Sequence, residues 1–274
     1  MKIKYLGTAA AEGVPALFCE CDTCKKARKV GGKEIRTRSQ ALIDGKLMLD
    51  FPADTYFHSL IHGISLKDVH SYLITHTHSD HFYPKDFAML GKGFANLKIN
   101  TPPYRFYGGA EMVKEALKHT ANVGDRIELY ALEPFKTYEI DEYKVTPLKA
   151  NHGTETPFIY IIKSKDKCML YSHDTGLFTD ETWDYLLKEK PYFNFISWDC
   201  CSGSKKNLDY TSHLCLGYIK DTVKRLNENG ITDSKTKHCA NHFSHNGPDI
   251  LYENRAVYER EGYIMSYDGM EIEF

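Results

Sequence analysis

No run of eighteen apolar residues occurs in this 274-residue chain, so no membrane-spanning helix is expected. The start, Met-Lys-Ile-Lys-Tyr-Leu-Gly, lacks the apolar core of a leader, so export is not expected and the cytoplasm is the expected compartment. There is almost no charge imbalance. Thirty-five Lys and Arg face 37 Asp and Glu, leaving a net charge of −2. Long-range attraction to nucleic acid or to an anionic membrane is therefore not expected. No linker rich in Gly, Ser or Pro divides the chain, and no internal repeat is visible. One domain spanning residues 1–274 is expected. What the chain does contain is 8 cysteines and 13 histidines, and they are clustered. Cysteines in a chain that is not exported read as reduced thiols or metal ligands rather than a disulfide framework.

Hydrophobic patterning alternates between strand and helix. Lys2–Leu6 reads as a strand, and Ser39–Asp50 as a hairpin turning at Asp44-Gly45. Asp54–His62 has helical spacing, His70–Thr75 is a short buried strand, and Ala110–His119 is a helix. Strands are expected at Ile127–Leu132, Lys144–Ala150, Phe158–Lys163, Cys168–Ser172, Phe193–Asp199 and Lys237–His242. Helices are expected at Thr179–Lys188, Ser212–Asn227 and Pro248–Glu261, with two short strands within Tyr263–Phe274. Many strands with interspersed helices suggest packed sheets covered by helices, an α/β arrangement.

The strongest local signal is Thr75-His76-Thr77-His78-Ser79-Asp80-His81, which follows the apolar Tyr72-Leu73-Ile74. Imidazole nitrogen and carboxylate oxygen are good ligands for borderline and hard divalent ions. A turn leaving a strand can aim His76 and His78 at one ion and Asp80 and His81 at a second. Three later residues stand at the ends of apolar strands: His152, Asp174 and His242. An Asp between two ions can bridge them, a role that suits Asp174; the neighbouring His173 is the competing ligand. A second cluster, Cys19, Cys21 and Cys24, puts three thiols within the six residues of an expected loop at 19–24, which suits a tetrahedral structural zinc lacking one ligand.

His76-x-His78-x-Asp80-His81, followed by His152, Asp174 and His242, resembles the metallo-β-lactamase superfamily. Asp50 resembles that family's first motif, a buried Asp supporting the metal loop. The resemblance implies a four-layer αββα sandwich with a dinuclear site at one rim, binding two catalytic divalent ions (zinc, manganese or iron). Gly7-Thr8, Gly13-Val14-Pro15 and the Cys19/Cys21/Cys24 segment resemble one subgroup. It comprises the cyclic-phosphate phosphodiesterases of phosphonate breakdown, with the pyrroloquinoline quinone biosynthesis protein B as a relative. There the structural zinc takes its fourth ligand from a second His in His-x-x-His. This implies His242 in the catalytic site and His245 on the zinc, with Cys239 as the rival. Two departures stand out: Ala9-Ala10-Ala11 where an extra glycine is usual, and Cys200-Cys201-Ser202 after Asp199 where a single Cys is usual.

The resemblance also implies an acid His between the Asp174 and His242 motifs. His213 lies in that interval ahead of a helix, with Asp209 as an orienting residue, and Asp80 doubles as ligand and base toward the attacking water. The expected activity is hydrolysis of a small cyclic phosphate or phosphodiester. The expected partner is a small phosphorylated molecule, with no membrane and no nucleic acid; a homodimer is left open. A nuclease of the transfer-RNA 3′-processing kind and a non-hydrolytic biosynthetic protein are the alternatives. His58, His62, His70, His119 and His238 are expected to be structural or exposed.

Overall fold

Side chains alternate along each strand, so a strand buried on both faces must feed two different cores. The computed structural model, which describes residues 1–206 and 212–274, shows this throughout. In chain order the elements are β1 (Lys2–Gly7), α1 (Asp22–Val30), β2 (Gln40–Ile43), β3 (Leu47–Leu49), α2 (Thr55–Ile61), β4 (Ser71–Leu73), β5 (Tyr104–Gly108), α3 (Ala110–Leu117), β6 (Ile127–Ala131) and β7 (Tyr138–Ile140). There follow β8 (Tyr143–Lys149), β9 (Phe158–Ser164), β10 (Lys167–Ser172), α4 (Asp180–Glu189), β11 (Phe195–Asp199), α5 (Leu216–Glu228), β12 (Lys237–Asn241), α6 (Ala256–Glu259), β13 (Ile264–Met265) and β14 (Glu271–Glu273).

Two sheets form, with strand orders β14-β1-β2-β3-β4-β5-β6 and β13-β12-β11-β10-β9-β8-β7. Ile3, Tyr5, Ala41 and Ile43 of the first sheet pack against Val145, Tyr160, Ile162 and Tyr171 of the second, making the central core. The alternate residues point outward. Leu6, Leu42 and Met48 meet Met112 and Ala116 of α3. Ile159, Ile161 and Leu170 meet Trp183 and Leu186 of α4 and Ile219 and Leu226 of α5. The layers are therefore helix, sheet, sheet, helix, the αββα sandwich expected from the sequence. No helix of the described residues is long and apolar enough to cross a membrane.

Three local expectations fail. Residues 248–261 do not form one helix, but a 3-10 turn at Tyr252–Asn254 and the short α6. Asp249 adopts a left-handed conformation (φ 58°) that interrupts the helix. The Glu34 carboxylate then caps the new start, accepting from the backbone N–H groups of Tyr252 (2.6 Å) and Glu253 (3.0 Å). The helix expected from Ser212 starts at Leu216, because Leu214 N–H is held by Asp199 Oδ1 (3.2 Å) and Cys215 is extended (φ −138°). The segment carrying the three cysteines is not all loop: Cys24 lies in the first turn of α1, whose N-cap is Cys21.

Candidate metal centre

The site is built from strand ends. Asp50 follows β3 with φ 66° and is fully buried. Its Oδ1 accepts from the N–H (2.8 Å) and hydroxyl (2.9 Å) of Thr75, where the loop leaves β4. Its Oδ2 lies 2.7 Å from His81 Nδ1. Asp50 thus fixes both the loop's exit angle and the ring of His81, leaving His81 Nε2 to point forward. His76 is oriented similarly: the Thr75 hydroxyl, which donates to Asp50, accepts from His76 Nδ1 (3.0 Å), so Nε2 faces the site.

Two groups of ligand atoms result. His76, His78 and His152 form one; Asp80, His81, Asp174 and His242 form the other, and within each group the atoms lie within 4.8 Å of one another. In the first group, His78 Nδ1 lies 3.0 Å from His76 Nε2 and 3.1 Å from His152 Nε2. Asp174 touches both groups. Its Oδ2 meets His81 Nε2 closely and lies 3.2 Å from His242 Nε2 and 3.7 Å from His76 Nε2, while Oδ1 is 3.9 Å from His152 Nε2. Asp174 therefore stands between the two groups. His173 points elsewhere, its Nε2 2.7 Å from Ser197 Oγ, and joins neither group. Asp174 and His242 have φ of 49° and 61°, left-handed conformations that cost about 1–3 kcal/mol each for non-glycine residues.

The donor set fits a metal. Asp174 Oδ2 is buried and stands among the Nε2 atoms of His81, His242 and His76, with no well-formed hydrogen bond to it. Burial works against the Asp174 charge, but the facing His242 and His81 outweigh it and hold the carboxyl well below the usual range. Burial likewise works against a charged His81, and Asp174, Asp50 and Asp80 outweigh it, raising its pKa. Carboxylate oxygens set among imidazole nitrogens suit divalent cations.

His213 stands at the edge of these groups. Its Nδ1 lies 2.7 Å from Asp199 Oδ2 and 3.4 Å from Asp174 Oδ1. Burial opposes its charge, but Asp199 and then Asp174 push it up to about 9. Sequence reasoning missed Asp199 as its partner. The available signal was position: Asp199 ends β11 at the same rim where Asp50, Asp174 and His242 follow their strands. The residue named instead, Asp209, lies outside the described residues.

A cavity of about 860 Å³ opens over the site, its wall including Glu12, Cys201, Lys205 and Lys206. Glu12 was also missed; it accepts from Ser244 Oγ, and its Oε1 is 3.8 Å from His245 Nε2.

Cys19, Cys21, Cys24 and His245 form a separate group. Cys19 Sγ and Cys21 Sγ are each 3.5 Å from His245 Nδ1. Each sulfur accepts a backbone N–H: Cys19 from Cys21, Cys21 from Cys24, Cys24 from Ala16, at 3.4, 3.4 and 3.3 Å. Such donors favour thiolate. The Cys24 N–H brings the Cys21 thiol down to about 6, whereas burial pushes Cys24 up to about 11. Cys239 is not in this group; its sulfur turns to the Ala240 carbonyl (3.7 Å).

A family model described as the beta-lactamase superfamily domain matches residues 53–208. Among curated proteins, ribonuclease Z from Gloeothece citriformis is 27% identical over 171 residues, 61% of this chain. The match spans about half, 48%, of that relative's length. Solved structures that cover the whole chain include two with TM-scores above 0.7. One is a diphosphatase of the PhnP family, with TM-score 0.73 and 20% identity, covering 98% of its own chain. The other is zinc-bound PqqB from Methylobacterium extorquens, with TM-score 0.78 and 17% identity, covering all of it.

Proposed function

The chain belongs to the metallo-β-lactamase superfamily of hydrolases, and from that premise we propose that it is a metal-dependent phosphodiesterase acting on small cyclic phosphates or phosphodiesters. The observation that carries this reading is the His213–Asp199 pair at 2.7 Å, set 3.4 Å from Asp174 on the cavity wall. An alkoxide leaving group needs a proton, and an imidazole held in one orientation by a buried carboxylate supplies it. Divalent ions bound in the two His/Asp groups supply Lewis acidity and activate water.

The chain's own residues do the rest. Asp174 holds the two groups in register, and Asp50 fixes His81. Asp80, at the cavity wall, serves as ligand and as base toward the attacking water. Lys205 and Lys206 at the mouth favour an anionic substrate, although Lys206 also pairs with Asp221 (2.6 Å). Cys19, Cys21, Cys24 and His245 hold a structural zinc. Two catalytic ions, of zinc, manganese or iron, and one structural zinc complete the chain.

Purified protein reconstituted with manganese or zinc should hydrolyse bis(p-nitrophenyl) phosphate and a cyclic nucleotide phosphate. His78→Ala should reduce this turnover at least about 100-fold. Absence of turnover with every metal would sink the reading. A second reading, a ribonuclease of the transfer-RNA 3′-processing kind, is favoured by the ribonuclease Z match. It requires specific cleavage of precursor transfer RNA and binding that weakens steeply with salt. The net charge of −2 speaks against it.

A further inference from the structure

Cys200-Cys201 is the motif that the function above leaves unused. Cys200 turns into the protein, its thiol 3.4 Å from the Gly203 carbonyl. Cys201 faces the cavity. Its sulfur and one ring nitrogen each of His213 and His242 lie within 4.8 Å of one another, and all three residues are buried. Cys201 is in neither His/Asp group, but His242 also stands with Asp80, His81 and Asp174, and His213 and His242 also group with Asp174 and Asp199.

His242 presents its two nitrogens differently. Nε2 lies 3.3 Å from His81 Nε2 and 3.2 Å from Asp174 Oδ2, inside the second His/Asp group. Nδ1 is on the other side, 3.7 Å from Asp199 Oδ2, a distance too long for a hydrogen bond. It is buried and has no hydrogen-bond partner, in a residue only 1% exposed. A metal-ligating His ordinarily gives its far nitrogen to a carboxylate, carbonyl or water. Here that nitrogen has no partner, in a residue grouped with the Cys201 thiol and the His213 imidazole, and with the Asp199 carboxylate nearby.

We propose that Cys201, His213 and His242 form an additional, inhibitory cation site that takes zinc or another thiophilic divalent ion. The three residues supply one sulfur and two nitrogens, a set that prefers zinc or cadmium to manganese. Asp199 beside them offsets the ion's charge. On binding, the Cys201 thiol gives its proton to solvent, and its sulfur and one ring nitrogen each of His213 and His242 form three metal–ligand bonds. His213 then has no proton to give to a leaving group, so hydrolysis stops while substrate can still enter. Excess zinc should inhibit the manganese-loaded enzyme, and excess manganese should not. The inhibition rests on the phosphodiesterase reading; the binding does not.

The test counts metal as well as activity. Equilibrium dialysis against excess zinc should leave wild-type protein with one more zinc per chain than Cys201→Ser or Cys201→Ala. The zinc concentration that halves activity should rise at least tenfold in both variants. In wild-type protein loaded with cadmium-113, the nuclear magnetic resonance spectrum should contain two thiolate-shifted signals, one from the Cys19/Cys21/Cys24 group and one from Cys201. Equal zinc counts in wild type and variants, or a single thiolate-shifted cadmium signal, would overturn the proposal. If no substrate is turned over, the dialysis and the cadmium spectrum still decide it.

Discussion

At the scale of single residues, the site is made by buried carboxylates that aim imidazoles. Asp50 aims His81 and Asp199 aims His213. The two aimed rings differ in task, so their loss should be read differently. His213→Gln should lower kcat about 100-fold or more on esters with an alkyl alcohol leaving group. It should affect bis(p-nitrophenyl) phosphate much less, because p-nitrophenolate leaves without a proton. Equal losses on both esters would remove His213 from the acid role. The ligand types and their order were legible in the sequence, because a His-x-His-x-Asp-His run after a strand has few other uses. The aiming carboxylate of His213 was not. Asp199 is fourteen residues away in sequence and meets His213 only because β11 and the segment before α5 end at the same rim.

At the scale of elements, most strands and the helices α2 and α3 were legible, and α1 was not. The two sheets bury near-continuous apolar runs such as Phe158–Ile162, which leave little choice of structure. Helix α1 buries only Cys24 and Ala27, so few apolar residues mark it in the sequence. It is held instead by its ends. Cys21 caps it, accepting from Cys24 N–H, and Arg28 reaches back to the carbonyls of Cys19 and Ala16, both at 2.7 Å. Because Cys21 and Cys24 are also in the thiol group, metal and helix should stand together. Stripping metal with a chelator should make the amides of 21–30 exchange with deuterium at least about tenfold faster, while β1 and β2 are unchanged. Unchanged exchange over 21–30 would separate that helix from any metal.

At the scale of the whole molecule, the sandwich buries histidines that have no part in the site, and they set its acid tolerance. His238 in β12 accepts from Trp198 Nε1 (3.2 Å), and burial pushes it down to about 4. A ring neutral in the folded state and charged when unfolded binds more protons in the unfolded state between about pH 6.5 and 4. Stability therefore falls as pH drops through that window and is retained above it. By linkage, His238 alone accounts for a loss of about 2 kcal/mol between pH 7.5 and 5. Urea unfolding at the two pH values should show a smaller drop for His238→Gln than for wild type. An identical drop would mean the ring is not held neutral. Packed sheets covered by helices were legible in the strand pattern, and the αββα order was implied by the family resemblance. The break in residues 248–261 was not, because its cause is tertiary: Glu34 caps the chain from a distant loop.

The central claim is that this fold holds two catalytic ions at its rim and a structural zinc beside them. Anomalous diffraction at the zinc edge, from crystals of protein loaded with three equivalents of zinc, tests it most directly. The account requires two peaks about 3.5–4 Å apart flanking Asp174 and a third among Cys19, Cys21, Cys24 and His245. A single peak in the His/Asp groups, or none at the thiols, would contradict it.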